Sequence, residues 1–197
     1  MRRPLTLISC LALILTLALA AATTAQAPAP AQALVDNPQY TSWSKHKPGT
    51  SVTMKMTTNM GPQNMTMNLV QTLKEVNADQ ATIEVKSEMD MGGNKQQMPA
   101  QTVPIKAKVT PQEAKYGQLP AGVKADVKEV GNETLTVGGK TYDCKVSEVT
   151  GEAEGMKTAG KVWRNDDVPG QVVKMDMKFE GAQSGTSTME LVSVDKK

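Results

Sequence analysis

Residues 53–67, TMKMTTNMGPQNMTM, carry five methionines in fifteen positions. Two chemistries compete for such a pattern. A thioether is a soft ligand that suits Cu(I), and methionine is also a flexible hydrophobe that fills irregular cores. Spacing separates them. Met54 and Met56, and then Met65 and Met67, stand two residues apart. In a strand such pairs share one face, with Cα atoms roughly 6.5 Å apart, which is ordinary packing register. Val52, Met54 and Met56 alternate with Ser51, Thr53 and Lys55, and Met65, Met67 and Leu69 continue the period after Gly61-Pro62. The stretch reads as two strands joined by a Gly-led reversal.

A second copy of this pattern lies near the other end of the chain. Trp43, Pro48-Gly49, Val52, Met54, Met56, Gly61-Pro62-Gln63-Asn64 and Thr66–Val70 are matched by Trp163, Pro169-Gly170, Val173, Met175, Met177, Gly181-Ala182-Gln183-Ser184 and Thr188–Val192. Counted from the glycine of each Pro-Gly, the valine and both methionines fall at identical offsets of three, five and seven. The repeated unit is a Pro-Gly turn, a Val-x-Met-x-Met strand, a reversal and a returning strand. Trp43, Gly49, Trp163, Pro169 and Gly170 are its structural markers.

The rest of the chain from Thr50 onward also has period two. ATIEVKSEM, TAGKVWRN and TSTMELVSV alternate, and ETLTVGGKTYDCKVSEV reads as a hairpin about Gly138-Gly139, a pair that supplies positive φ without steric cost. Pro99 and Pro104 confine MPAQTVPIKAKV to an edge strand or an irregular crossing. Asn37-Pro38 and Thr110-Pro111 are cap-plus-proline starts for two short helices. The expected fold is mainly β: a single domain of about eight or nine antiparallel strands in a curved sheet or half-barrel, with one or two short helices.

Residues 1–27 have the parts of a secretory signal: Arg2 and Arg3, an apolar run from Leu5 to Ala22, then small residues. Cys10 precedes the end of the apolar run rather than following it, which sets lipidation aside. Residues 28–36, PAPAQALVD, form a Pro/Ala-rich lead-in, and 37–197 the β-rich domain. Loss of the signal lowers Lys+Arg from 22 to 20, equal to the 20 Asp+Glu, so the exported chain carries no basic footprint for nucleic acid. No second apolar run is long enough to span a membrane. Cys144 then remains alone, alternating like a strand residue, and reads as a buried inert thiol.

Catalytic signatures are missing. The single histidine, His46, lies between two lysines in SKHKPG and reads as part of a solvated turn. A nucleophilic triad would have to use it, and no phosphate loop, zinc spacing or nucleophile elbow occurs. Asp166-Asp167 and Glu152/Glu154 read as turn and loop residues. Arg164 is the one arginine left after processing, which argues against an arginine clamp for phosphate or carboxylate. No enzyme activity and no cofactor are expected.

The segment GKVWRNDDVPGQVVKMDMKFEG, with Trp163, Asp166-Asp167 and Pro169 in sequence, resembles exported half-barrel proteins of the bacterial lipoprotein-carrier type. The opening Trp43, Pro48-Gly49, Val52 is similar to that of uncharacterised exported β-rich proteins. The resemblance implies a strongly curved, partly closed antiparallel sheet with a helix on its concave side, enclosing an apolar cavity for acyl chains. The chain departs from it in being poor in aromatics and arginine, whereas such carriers line the cavity with aromatics and use specific basic residues.

These readings lead to a non-catalytic exported protein, periplasmic or secreted, that holds a hydrophobic ligand or partner segment. Met54, Met56, Met67, Met175 and Met177 are its candidate lining; packed together, the same side chains would simply fill a core. One alternative is a periplasmic methionine-rich Cu(I)/Ag(I) binder using Met89, Met91 and Met98, which flank the loop GGNKQQ. Another is an envelope scaffold that engages a protein partner through edge strands.

Overall fold

The structure, a computed structural model, describes residues 33–61, 63–116, 124–153, 155–181 and 184–197. The signal segment, Cys10, most of the lead-in, and Pro62, Glu154, Ala182 and Gln183 of the sequence motifs lie outside the described residues. Residues 32–197 form one compact unit. In chain order the elements are β1 (Val35–Asp36), α1 (Pro38–Trp43), β2 (Ser51–Met60), β3 (Gln63–Val76), β4 (Gln80–Met91), β5 (Asn94–Gln97), β6 (Gln101–Lys106), β7 (Lys108–Val109), α2 (Pro111–Tyr116), β8 (Lys124–Val137), β9 (Lys140–Ala153), β10 (Met156–Arg164), β11 (Val172–Glu180) and β12 (Gly185–Asp195). No helix among the described residues is long and apolar enough to cross a membrane.

The fold is mainly β, as the alternation predicts. Ten strands form one curved antiparallel sheet in the order β5-β4-β3-β2-β12-β11-β10-β9-β8, with β6 also on β4, and β1 pairs with β7. Among the described residues the sheet does not close into a barrel. Twelve strands stand among the described residues where about eight or nine were expected. The three additions, β1, β5 and β7, are only two to four residues long, too short to show a period. β5 and β6 cover successive halves of the β4 edge, interrupted by Met98-Pro99-Ala100, so the proline-marked segment is an edge as read from sequence.

The two copies of the repeat stand side by side in the sheet, β3-β2 next to β12-β11. Both Pro-Gly glycines have positive φ, +92° at Gly49 and +79° at Gly170, and Val52 and Val173 are both fully buried. The correspondence fails before the Pro-Gly: Trp43 ends a helix, whereas Trp163 is on β10.

Directly opposed residues share a face, so the register assigns the methionines. Met89, Met67, Met56, Met189 and Met175 oppose one another in one row across five strands. The next row outward is Met91, Met65, Thr58, Ser187 and Met177, whose two buried hydroxyls lie 3.1 Å apart in a hydrogen bond. Charge occupies the other face: Lys55, Glu190, Lys174 and Trp163 form a row there, and Lys174 Nζ sits 3.2 Å from Glu190 and 5.6 Å from the Trp163 ring centre.

The core lies toward one end of the strands, where Trp43, Val52, Met54, Leu73, Ile83, Val173 and Leu191 are each 0–3% exposed. Burial of such a side chain contributes about 1.5–3 kcal/mol. α1 is held there by its cap and its neighbours. Asn37 Oδ1 accepts from the Gln39 N–H, Asn37 Nδ2 donates to the Lys106 carbonyl at 2.8 Å, and Ser42 Oγ donates to the Val168 carbonyl at 2.8 Å. α2 begins with a capping box: Glu113 Oε2 accepts from the Thr110 N–H and hydroxyl, and the Glu113 N–H donates to Thr110 Oγ1. Cys144 is buried at 1% exposure, and desolvation raises its thiol pKa, which keeps it protonated and inert.

His46 departs from the solvated-turn reading. It is half-buried, and Nε2 is buried without a hydrogen-bond partner among the described residues. Burial, then Lys196 and Lys45, lower its pKa from the ordinary 6.5, with Asp167 opposing them. The unfolded chain therefore takes up this proton first, so the stabilisation is present above pH 6.5 and is lost as pH falls through that value toward the folded pKa. We expect the melting temperature to fall between pH 7.5 and 5.5, and His46→Gln to flatten that slope. An unchanged slope in the variant would assign the dependence to other groups.

Candidate functional site

The face that carries the methionine rows also carries a cavity of about 530 Å³, where the sheet meets α1 and α2. Its sheet wall is built from Val52 and Met54 of β2, Gln71 of β3, Ile83 and Val85 of β4, Val103 and Ile105 of β6, and Met189 of β12. Trp43 and Pro38 of α1, Ala114 of α2, and the turn Pro169-Gly170-Gln171 close it from the other side. This size and apolar character suit a small hydrophobic ligand.

The turn at Asn165–Gln171 is locally encoded. Asn165 Oδ1 accepts from the Asp167 N–H, an Asx turn, and the Asn165 N–H donates to the Gln171 carbonyl at 2.8 Å. Asp166-Asp167 thus serve as turn residues, as their sequence context predicts. Gly170 approaches the Trp43 indole so closely that a Cβ there would stand 3.3 Å from Nε1. Gln171 has φ +68°, the one positive value at a non-glycine among the described residues. Such strain concentrates at binding sites.

A register break accompanies the strain. Trp163 opposes Lys174 but Arg164 opposes Val172, leaving Val173 as an extra, fully buried residue in β11. A bulge of this kind re-aims a neighbouring side chain. Arg164 is part of the cavity wall. It is half-buried and donates one hydrogen bond, Nη1 to Ser147 Oγ at 3.4 Å. No carboxylate stands within 4.0 Å of it among the described residues. Desolvation lowers its pKa, and no charged neighbour enters as a cause. Among the wall's other charged groups, Glu113 is engaged by its capping box and Lys115 lies 3.5 Å from Asp126.

Of the five predicted lining methionines, Met54 is in the cavity wall and 3% exposed. Met56, Met67, Met175 and Met177 share its face but lie outside the cavity wall, half-buried. Met189 takes the wall position that sequence reasoning did not assign. Trp43, Pro169 and Gly170, read as structural markers, form part of the wall, whereas Gly49 and Trp163 do not. Trp163 donates from Nε1 to Glu133 Oε2 at 2.7 Å. Arg164, discounted by its solitude, was legible only as an arginine beside a strand end.

The candidate metal ligands lie along the β4–β5 edge, with Met89 and Met91 on the face of the methionine rows. Met89 opposes Met67 and Met91 opposes Met65, while the Met98 N–H donates to the Ser87 carbonyl at 2.9 Å. Met91 and Met98 are 51% and 39% exposed. No group of three or more His, Cys, Asp and Glu suited to a metal ion occurs among the described residues. A second hollow, of about 480 Å³ between β8 and β11, has polar walls that include Asp126, Glu152 and Lys157, with Lys178 paired to Glu180 at 2.7 Å. Its lining has no apolar side chain larger than alanine.

No protein-family model matches the chain, and no curated protein sequence matches it. Among solved structures it is similar to a candidate lipoprotein from Parabacteroides distasonis ATCC 8503, with TM-score 0.47, 10% identity, and coverage of 76% of this chain and 96% of that one. It is similar also to a candidate exported protein with a YmcC-like fold from Bacteroides fragilis NCTC 9343, with TM-score 0.45, 9% identity and coverage of 77% and 97%. A third similarity is to the hypothetical lipoprotein YmcC from Escherichia coli K12, with TM-score 0.33, 14% identity and coverage of 79% and 88%.

Proposed function

We propose that this chain is an exported, non-catalytic binding protein that holds a hydrophobic ligand between its curved sheet and its two short helices. The observation that carries the reading is the cavity of about 530 Å³ with Val52, Met54, Ile83, Val85 and Met189 in its sheet wall. Flexible thioethers let such a wall conform to ligands of varied shape. The rows of half-buried methionines beyond the cavity extend the same apolar face along the strands. Export rests on the signal-like residues 1–27.

A second reading draws on the same register. Met65, Met67, Met89 and Met91 are mutual neighbours on one face, and Met91 is 51% exposed, as access to a Cu(I) or Ag(I) site would require. Native mass spectrometry separates the two. The mature protein, purified from the exported fraction, is sprayed with and without Ag(I). The expected result is a lipid-sized adduct and no silver that survives a thioether competitor. Tight stoichiometric silver, lost when Met89, Met91 and Met98 are changed to leucine, would reverse the order. A bare mass in both samples would overturn both and turn attention to the 14-residue edge strand β8 as a protein-docking surface.

A further inference from the structure

We infer that the ligand is an anionic amphiphile, its apolar chain against the strand wall and its carboxylate or phosphate on the guanidinium of Arg164. This rests on the binding reading above and specifies its chemistry.

Four observations converge. The first is position: Arg164 stands in the wall of an otherwise largely apolar cavity, together with Val52, Met54 and Ile83. The second is that its charge is uncompensated. Its one hydrogen bond is to a neutral hydroxyl at 3.4 Å, and no carboxylate lies within ion-pair reach among the described residues. A guanidinium has five N–H donors in a planar fork that matches carboxylate and phosphate oxygens, and a half-buried charge is ordinarily paired. The third is that no other wall residue offers the complement. Glu113 accepts two hydrogen bonds from Thr110, and Gln171 Nε2 donates away from Arg164 to Asp166 Oδ1. The fourth is local construction. The register break at Trp163/Arg164 and the positive φ of Gln171 lie on either side of the turn and shape this corner of the cavity.

An alternative role for Arg164 is purely structural, with solvent as its partner. Removing the charge then leaves ligand discrimination unchanged. On our inference the free protein gains nothing from the charge, because its one contact is weak, and the bound form depends on it.

The test uses the mature chain, stripped of co-purifying lipid, in isothermal titration calorimetry below micelle concentrations. The probes are hexadecanoate, hexadecyl phosphate, hexadecanol and inorganic phosphate. Both anionic amphiphiles are expected to bind at least about 10-fold tighter than hexadecanol, the lower end of what a charge-assisted hydrogen bond supplies. Arg164→Gln is expected to remove that preference, leave hexadecanol within about twofold, and melt at or above the temperature of the parent protein. Arg164→Lys is expected to restore part of the preference.

Equal affinity for hexadecanoate and hexadecanol, or an undiminished preference in Arg164→Gln, would overturn the inference and leave the binding reading intact. Inorganic phosphate binding as tightly as hexadecyl phosphate would replace the amphiphile with a free anion. Binding of none of the four would overturn the binding reading and the inference with it.

Discussion

Replacing Trp43 with alanine is expected to lower stability by about 3–5 kcal/mol, the usual consequence of truncating a buried tryptophan. At this chain length the melting temperature would fall by roughly 6–20 °C. Trp43 is 1% exposed at the end of a six-residue helix that is far too short to persist alone. The helix stays where it is because the indole packs beneath it and because Asn37 and Ser42 tie it to Lys106 and Val168. Loss of the indole therefore loosens α1 and opens the cavity wall together. Equilibrium denaturation measures the first effect, and ligand affinity in Trp43→Ala and Trp43→Phe the second. A loss below about 1 kcal/mol would mean that Trp43 does not anchor the core.

A single methyl group at Gly138 is expected to do comparable damage by a different route. Gly138 and Gly139 form the β8–β9 turn with φ +56° and +74°, where an alanine carries a cost of about 1–2 kcal/mol at either position. Around Gly139 nothing lies within 4 Å of an added Cβ. At Gly138 the Cβ would collide with the carbonyl oxygen of Val192, a backbone atom at the register break of β12. The sheet curls enough to bring this turn against a strand three places away in the sheet order. Relief of the collision requires the hairpin tip to lift from β12. Gly139→Ala thus serves as the matched control, and the excess loss in Gly138→Ala reports the docking. Equal losses in the two variants would show that the tip is not held against β12.

Features that depend on near neighbours were legible in the sequence. Alternation placed the strands, Gly138-Gly139 placed the hairpin, and Asn37-Pro38 and Thr110-Pro111 placed both helices. What escaped was set by contacts between distant segments. The Met-x-Met pairs look alike along the chain, yet Met54 is 3% exposed and Met91 is 51% exposed. The difference is distance from the end of the strands that the helices cover, which no local pattern records. His46, flanked by lysines, looked solvated until the far end of the chain brought Lys196 beside it. Arg164 was discounted because it stood alone, whereas the fold sets it in the cavity wall beside a register break. The repeat predicted two similar hairpins, but not that they would adjoin, nor that their tryptophans would fall on a helix and a strand.

That adjacency governs how the chain reaches its native state. The middle of the sheet is the pairing of β2 with β12, in which Ser51 opposes Asp195 and Met54 opposes Leu191. Closing a loop of that size costs roughly 4 kcal/mol in chain entropy before any contact compensates it, and sheets dominated by such distant pairings fold in milliseconds to seconds. The two hairpins can form early and separately, each exposing an open strand edge and a methionine-bearing face. A chain threaded across a membrane from its amino end would keep the β2–β3 hairpin in that state until β12 arrived. Pairing with β12 is therefore the step that covers the open β2 edge in the middle of the sheet.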